Sequence, residues 1–137
     1  GSTIGQQFRH IIEFYLILIK ALDTKLVCFD KRSRKSVIEN DPDLIKELLC
    51  QLKDILKKLN SDKKLKMEYG NSYSDYRYCE EKINTTLMRE LHFVLEHSIH
   101  HLAIIKMSLR SICPDIKIDV EIGVAPSTLQ QTGKCAL

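Results

Sequence analysis

The stretch LEHSIHHLAIIK, residues 95–106, carries three of the chain's five histidines, His97, His100 and His101, in a run otherwise apolar enough for a core. Imidazoles in such a run pack with their nitrogens hydrogen-bonded, titrate as a pH switch, or bind a metal. On a helix, residues four apart differ by about 40° in direction and stack one turn above the other. His97 and His101 therefore point the same way, as i, i+4 metal pairs do. His100 falls about 60° to the other side of His97. His92 faces elsewhere and reads as solvated. Glu90, two turns before His97, shares the pair's face. It is either the partner that orients a ligand ring or an ion-pair partner of Arg89 or nearby lysines.

A metal needs a third protein ligand, and His10 is the one histidine outside this helix. It precedes Ile11 in the most apolar segment of the chain, where an unpaired imidazole is costly. Two core helices that each present histidine point to a site of His10, His97 and His101. Spacing alone leaves the alternative of hydrogen-bonded histidines lining a packed helix. Three imidazole ligands leave a coordination position open, the layout of a catalytic site rather than a structural one.

The elements that must hold these residues read mainly as helices. Thr3 and Gln6 fit a capping box at the start of a helix whose apolar run extends from Phe8 to Val27. A polar, basic loop, VCFDKRSRKS, follows. Asp41, Pro42 and Asp43 then announce a second helix, with Leu44, Leu48, Leu52, Ile55 and Leu59 on one face. Residues 64–83 alternate at Leu65, Met67 and Tyr69, turn at GNS, and alternate again at Tyr76 and Tyr78, which predicts a short β-hairpin or extended flap. Asn84, Thr85 and Thr86 offer caps for a third helix that runs to about Ile112, before Pro114. IKIDVEIGVAPSTLQQ reads as extended and irregular. The expectation is one all-α domain over residues 1–137, an antiparallel up-and-down helical bundle with a β excursion before its last long helix.

STIGQQFRHIIEFY together with RELHFVLEHSIHHLAIIK resembles the DinB-like (DNA-damage-inducible protein B) superfamily. FDKRSRKSVIEND is similar to its inter-helix loop and GVAPSTL to the end of one branch. The resemblance covers nearly the whole chain. It implies a four-helix bundle with one divalent metal (zinc, nickel, iron or manganese) on His10, His97 and His101, and His100 matches no ligand position. Related proteins include thiol-dependent transferases and a thiol-dependent isomerase. The implied activity is transfer of a low-molecular-weight thiol to an electrophilic small molecule, and the alternative is a metal-binding bundle without catalysis. Family members usually carry a helix ahead of the one bearing the first histidine. Here it is either trimmed or supplied by another chain. Its absence leaves an apolar groove along Phe8 to Val27, to be covered by a second copy in a homodimer or by residues 116–129.

Composition narrows the remaining classes. With 137 residues, 44% hydrophobic and 28% charged, the chain is large enough for a real core. A formal net charge of +3 is too small to argue for nucleic acid, and no basic stripe with interleaved aromatics appears. The longest apolar run, Phe14 to Ile19, is too short to span a bilayer. Five cysteines without a CxxC give no disulfide framework and suit a reducing cytoplasm. A Cys-His nucleophile rests on nothing but the presence of Cys28 and Cys79. Arg32 and Arg34 in DKRSRK are candidates to receive an anionic substrate or thiol, against the alternative of a solvated charge run. Tyr69, Tyr73, Tyr76 and Tyr78 either line a pocket mouth or cover the core with wet hydroxyls.

Overall fold

A computed structural model describes residues 2–70 and 82–134. Helix α1 spans Ile4–Thr24, opened by the expected capping box: Gln6 N–H donates to Thr3 Oγ1 (3.2 Å), and Thr3 N–H donates to Gln6 Oε1 (3.0 Å). It stops at Lys25, which takes a left-handed φ of 58° and donates its N–H to the Ala21 carbonyl. That turn frees the Lys25 carbonyl to accept from Lys66 N–H at 2.9 Å, which starts a sheet.

Strand β1 (Leu26–Val27) runs parallel to β2 (Lys64–Met67), which pairs antiparallel with β3 (Ile83–Thr86) in the order β1-β2-β3. Helix α2 (Ser36–Asn40) and helix α3 (Pro42–Lys57) lie between β1 and β2 in sequence. Asp41 caps α3 with Oδ1 on the N–H groups of Asp43 and Leu44, both at 3.0 Å. Helix α4 (Leu87–Ile112) follows β3 directly, with Thr86 Oγ1 on Arg89 N–H, and α5 covers Pro126–Lys134.

The expected all-α, up-and-down four-helix bundle is therefore corrected. Five helices and a three-stranded mixed sheet form among the described residues. The cause is non-local pairing: Leu26 and Val27 are too few to show a strand period, and their partners Lys66 and Met67 lie far along the chain. β2 falls where Leu65 and Met67 alternate. Its partner is the segment ending in the cap Thr86, while Asn71, Ser72, Tyr76 and Tyr78 lie outside the described residues. β1 and α2 flank the basic loop, sharing Val27 and Ser36 with its two ends, and α5 begins inside the C-terminal stretch expected to be irregular.

Helix α1 is the spine. Phe14, Leu18 and Ala21 join Val27, Leu65, Leu87 and Val94 in one core cluster, and Ile12 joins Ile38, Ile45 and Leu52 in a second. Contact with α2 is close at Gly5, where an added Cβ would lie 2.0 Å from the Glu39 carbonyl oxygen. Over α1, between α3 and α4, an apolar groove of about 590 Å³ is lined by Phe8, Tyr15, Leu49, Leu56, Leu95 and Ile99 among others. Every lining residue comes from those three helices; the C-terminal stretch instead meets α4 at Ala103 and Lys106, whose Nζ donates to the Val120 and Ile122 carbonyls. No helix among the described residues is long and apolar enough to cross a membrane.

Candidate metal centre

Packing of α1 against α4 brings together the three histidines that the spacing singled out. One nitrogen from each of His10, His97 and His101 lies within 4.8 Å of the others. His97 Nε2 stands 2.9 Å from His10 Nε2 and 3.1 Å from His101 Nε2. Nitrogens that share a tetrahedral zinc at about 2.1 Å each stand roughly 3.4 Å apart, close to these separations. His100 and His92 are exposed, and the His100 ring lies 5.7 Å from His101, beside the cluster rather than in it.

Hydrogen bonding among the histidines places at most one shared proton at the centre of this arrangement. A neutral imidazole has one N–H and one in-plane lone pair. His97 Nε2 is either donor or acceptor, so its two short contacts share one N–H or one lone pair. The outer nitrogen of His101, Nδ1, contacts Gln7 Oε1, an acceptor, which assigns the proton to Nδ1 and the lone pair to the inward Nε2. Gln7 thus does for His101 what an orienting partner does for a metal-bound imidazole. The residues fit a shared cation.

Their protonation fits as well. Burial, then the Arg32 charge, then the other histidines and Arg9 push His10 down to about 4. Burial, then His97, His100 and Arg32, push His101 down to about 4. Burial followed by Arg32 and His100 lowers His97. All three are neutral near pH 7, the form that binds metal.

Aromatic rings wall the cluster. Phe14, four residues after His10, stacks on His97 at 4.5 Å, and Phe93, four before His97, lies 5.8 Å from it. Phe29 stacks on Phe14 at 4.9 Å and meets Phe93 at 5.4 Å. The basic loop enters over this wall. Arg32 sits 4.8 Å over the Phe14 ring with Nη1 3.5 Å from His10 Nε2. The loop is pinned from beneath by Glu13, 4% exposed on α1, whose Oε1 accepts from Ser33 Oγ (3.2 Å) and Lys35 N–H (3.1 Å). Arg34, at φ 49°, is exposed and makes no contact with the histidines among the described residues.

Glu90 is placed elsewhere. It is fully buried, with Oε1 accepting from Thr85 Oγ1 (2.5 Å) and Arg89 Nη1 (2.8 Å), and it ties β3 to α4 without reaching an imidazole. Cys28 is buried at the edge of the sheet, away from the cluster, and Cys79 lies outside the described residues. Gln7 and Glu13 were not singled out in the sequence. Gln7 lies three residues before His10 on one helical face, a signal that could have raised it, whereas Glu13 acts through a loop whose path sequence does not reveal.

Comparison of the chain with protein-family models, curated proteins and solved structures gave no match.

Proposed function

We propose that this chain holds one divalent metal ion, such as zinc, nickel, iron or manganese, through His10, His97 and His101. We propose further that it belongs with the DinB-like proteins its sequence resembles, and that it adds a low-molecular-weight thiol to an electrophilic small molecule in the cytoplasm. The observation that carries the metal reading is the convergence of three imidazole nitrogens within 4.8 Å of one another. When bound, such an ion lowers the pKa of a thiol or water ligand and supplies a nucleophile at neutral pH.

The chain's own residues do the rest. Gln7 holds the His101 proton on Nδ1 so that Nε2 faces inward. Phe14 and Phe93 cover the His97 ring, and Arg32 offers positive charge at the rim. The second reading is a metal-binding protein without catalysis, acting in stress response or partner binding. Nucleic acid and membrane have no place in either reading. A second copy of the chain is the proposed cover for the groove between α3 and α4, since contiguous apolar surface of this kind is rare on monomers and two-fold dimers are the commonest oligomers.

Elemental analysis of untagged protein tests the metal: about one ion per chain is expected, lost in His10→Ala, His97→Ala and His101→Ala and kept in His100→Ala. Loss in His100→Ala with retention in His97→Ala would overturn the assignment. For activity, metal-loaded protein should accelerate addition of a small thiol to a model electrophile. Equal rates for loaded and stripped protein would decide for the non-catalytic reading.

A further inference from the structure

His10 has a cation at the nitrogen the proposed centre depends on. Arg32 Nη1 lies 3.5 Å from His10 Nε2, the same atom that faces His97 Nε2 at 2.9 Å. The guanidinium is seated there, over the Phe14 ring, by a loop anchored on Glu13. Among the described residues no carboxylate forms an ion pair with it. Glu13 and Asp30 attract it from nearby without pairing, one Glu13 oxygen being held by Ser33 and Lys35 and one Asp30 oxygen by Gly70 N–H at 3.0 Å. A guanidinium does not shed its proton in a protein. A divalent ion on the three nitrogens would therefore face a fixed positive charge nearby, in partly buried surroundings where like charges repel more than in water. An anion touching both cations reverses the sign of that interaction.

We propose that the three-histidine centre takes its metal together with a carboxylate ligand that Arg32 receives, so that metal and carboxylate each raise the other's affinity. This rests on the metal reading above and names the ligand class of the same site. Carboxylate is the class because the planar, two-pronged guanidinium matches its two oxygens. The body of the ligand is flat and apolar: Phe14, over which Arg32 sits, meets the rings of Phe29 at 4.9 Å and Phe93 at 6.3 Å, and Phe93 is 38% exposed. Reciprocity follows from linkage, since an anion that tightens metal binding is itself bound more tightly by the metal-loaded protein.

Cobalt(II) titration of the full chain, followed by visible absorption, tests the coupling with sodium benzoate as anion and benzamide as its uncharged counterpart. Benzoate should lower the cobalt Kd by about tenfold, and benzamide should leave it unchanged. Arg32→Gln should bind cobalt at least as tightly as the parent without benzoate, lose the benzoate response, and retain the parent's circular dichroism. Arg32→Lys should restore part of the response. A cobalt Kd that ignores benzoate, or falls equally in Arg32→Gln, overturns the coupling and leaves the metal centre standing. No cobalt binding under any condition overturns both.

Discussion

Two stripes of α1, one residue apart in sequence, have met opposite fates. Gln7, His10 and Phe14 face α4 and the Arg32 loop, where nearby groups engage each of them. Phe8, Ile11 and Tyr15, about 100° around the helix, floor a groove whose α3 and α4 walls leave Leu49 40% and Leu95 45% exposed. Both stripes have the spacing of a buried helix face. The polar one is closed by specific partners within the chain, because a buried imidazole without them is costly. The apolar one is left open, because burial of hydrocarbon is non-directional and any matching apolar surface can complete it. Chemistry and assembly thus fall on different sides of one helix, and substitutions on one side should leave the other intact.

The largest effect expected is on the polar stripe. Metal at about 100 times its Kd should stabilise the parent by about 2.7 kcal/mol, and His97→Ala should lose that increment entirely in thermal melts with and without metal. A full metal-dependent rise in the variant would show that His97 is no ligand. On the apolar stripe, sedimentation at micromolar concentration should give a dimer, and Leu49→Glu with Leu95→Glu should give a monomer of unchanged metal content. A monomeric parent would remove the second copy as the cover; metal loss in the monomer would break the separation of the two stripes.

A smaller effect belongs to Gln7. Gln7→Ala should weaken metal binding by about tenfold without changing stoichiometry, and an unchanged Kd would remove Gln7 as the residue that sets the His101 proton. The mildest effect is on pH. With His10 and His101 lowered from 6.5 to about 4 in the folded chain, the unfolded chain binds protons between those values that the folded chain does not. Stability should therefore be flat above the unfolded value and fall as pH drops from 6.5 toward 4. Metal retention should likewise persist below 6.5, where a freely titrating histidine would already release its ion. Urea midpoints across this window check the sign. A midpoint that rises on acidification would contradict burial of the neutral rings.

Sequence alone determined what depends on near neighbours: the capping box at Thr3 and Gln6, the Asp41 cap, a cap among Asn84, Thr85 and Thr86, and the shared face of His97 and His101. These rest on backbone groups left free in the first turn of a helix and on the 3.6-residue period, both local. His10 was legible because an imidazole in so apolar a segment demands a partner, and one more helix carried the pair to meet it. Tertiary structure decided the rest. The β1-β2 pairing joins residues some forty positions apart through two-residue strands that carry no period, and it turned an expected helical bundle into a mixed fold. Of the two readings the sequence left for Glu90, the structure forms the pairing with Arg89, with Thr85 on the same carboxylate oxygen. Arg32 and Arg34 looked alike in a charge run. Only the anchoring of their loop on the buried Glu13 set one over Phe14 beside His10 and left the other in solvent, because a loop's path follows from what it packs on rather than from its own residues.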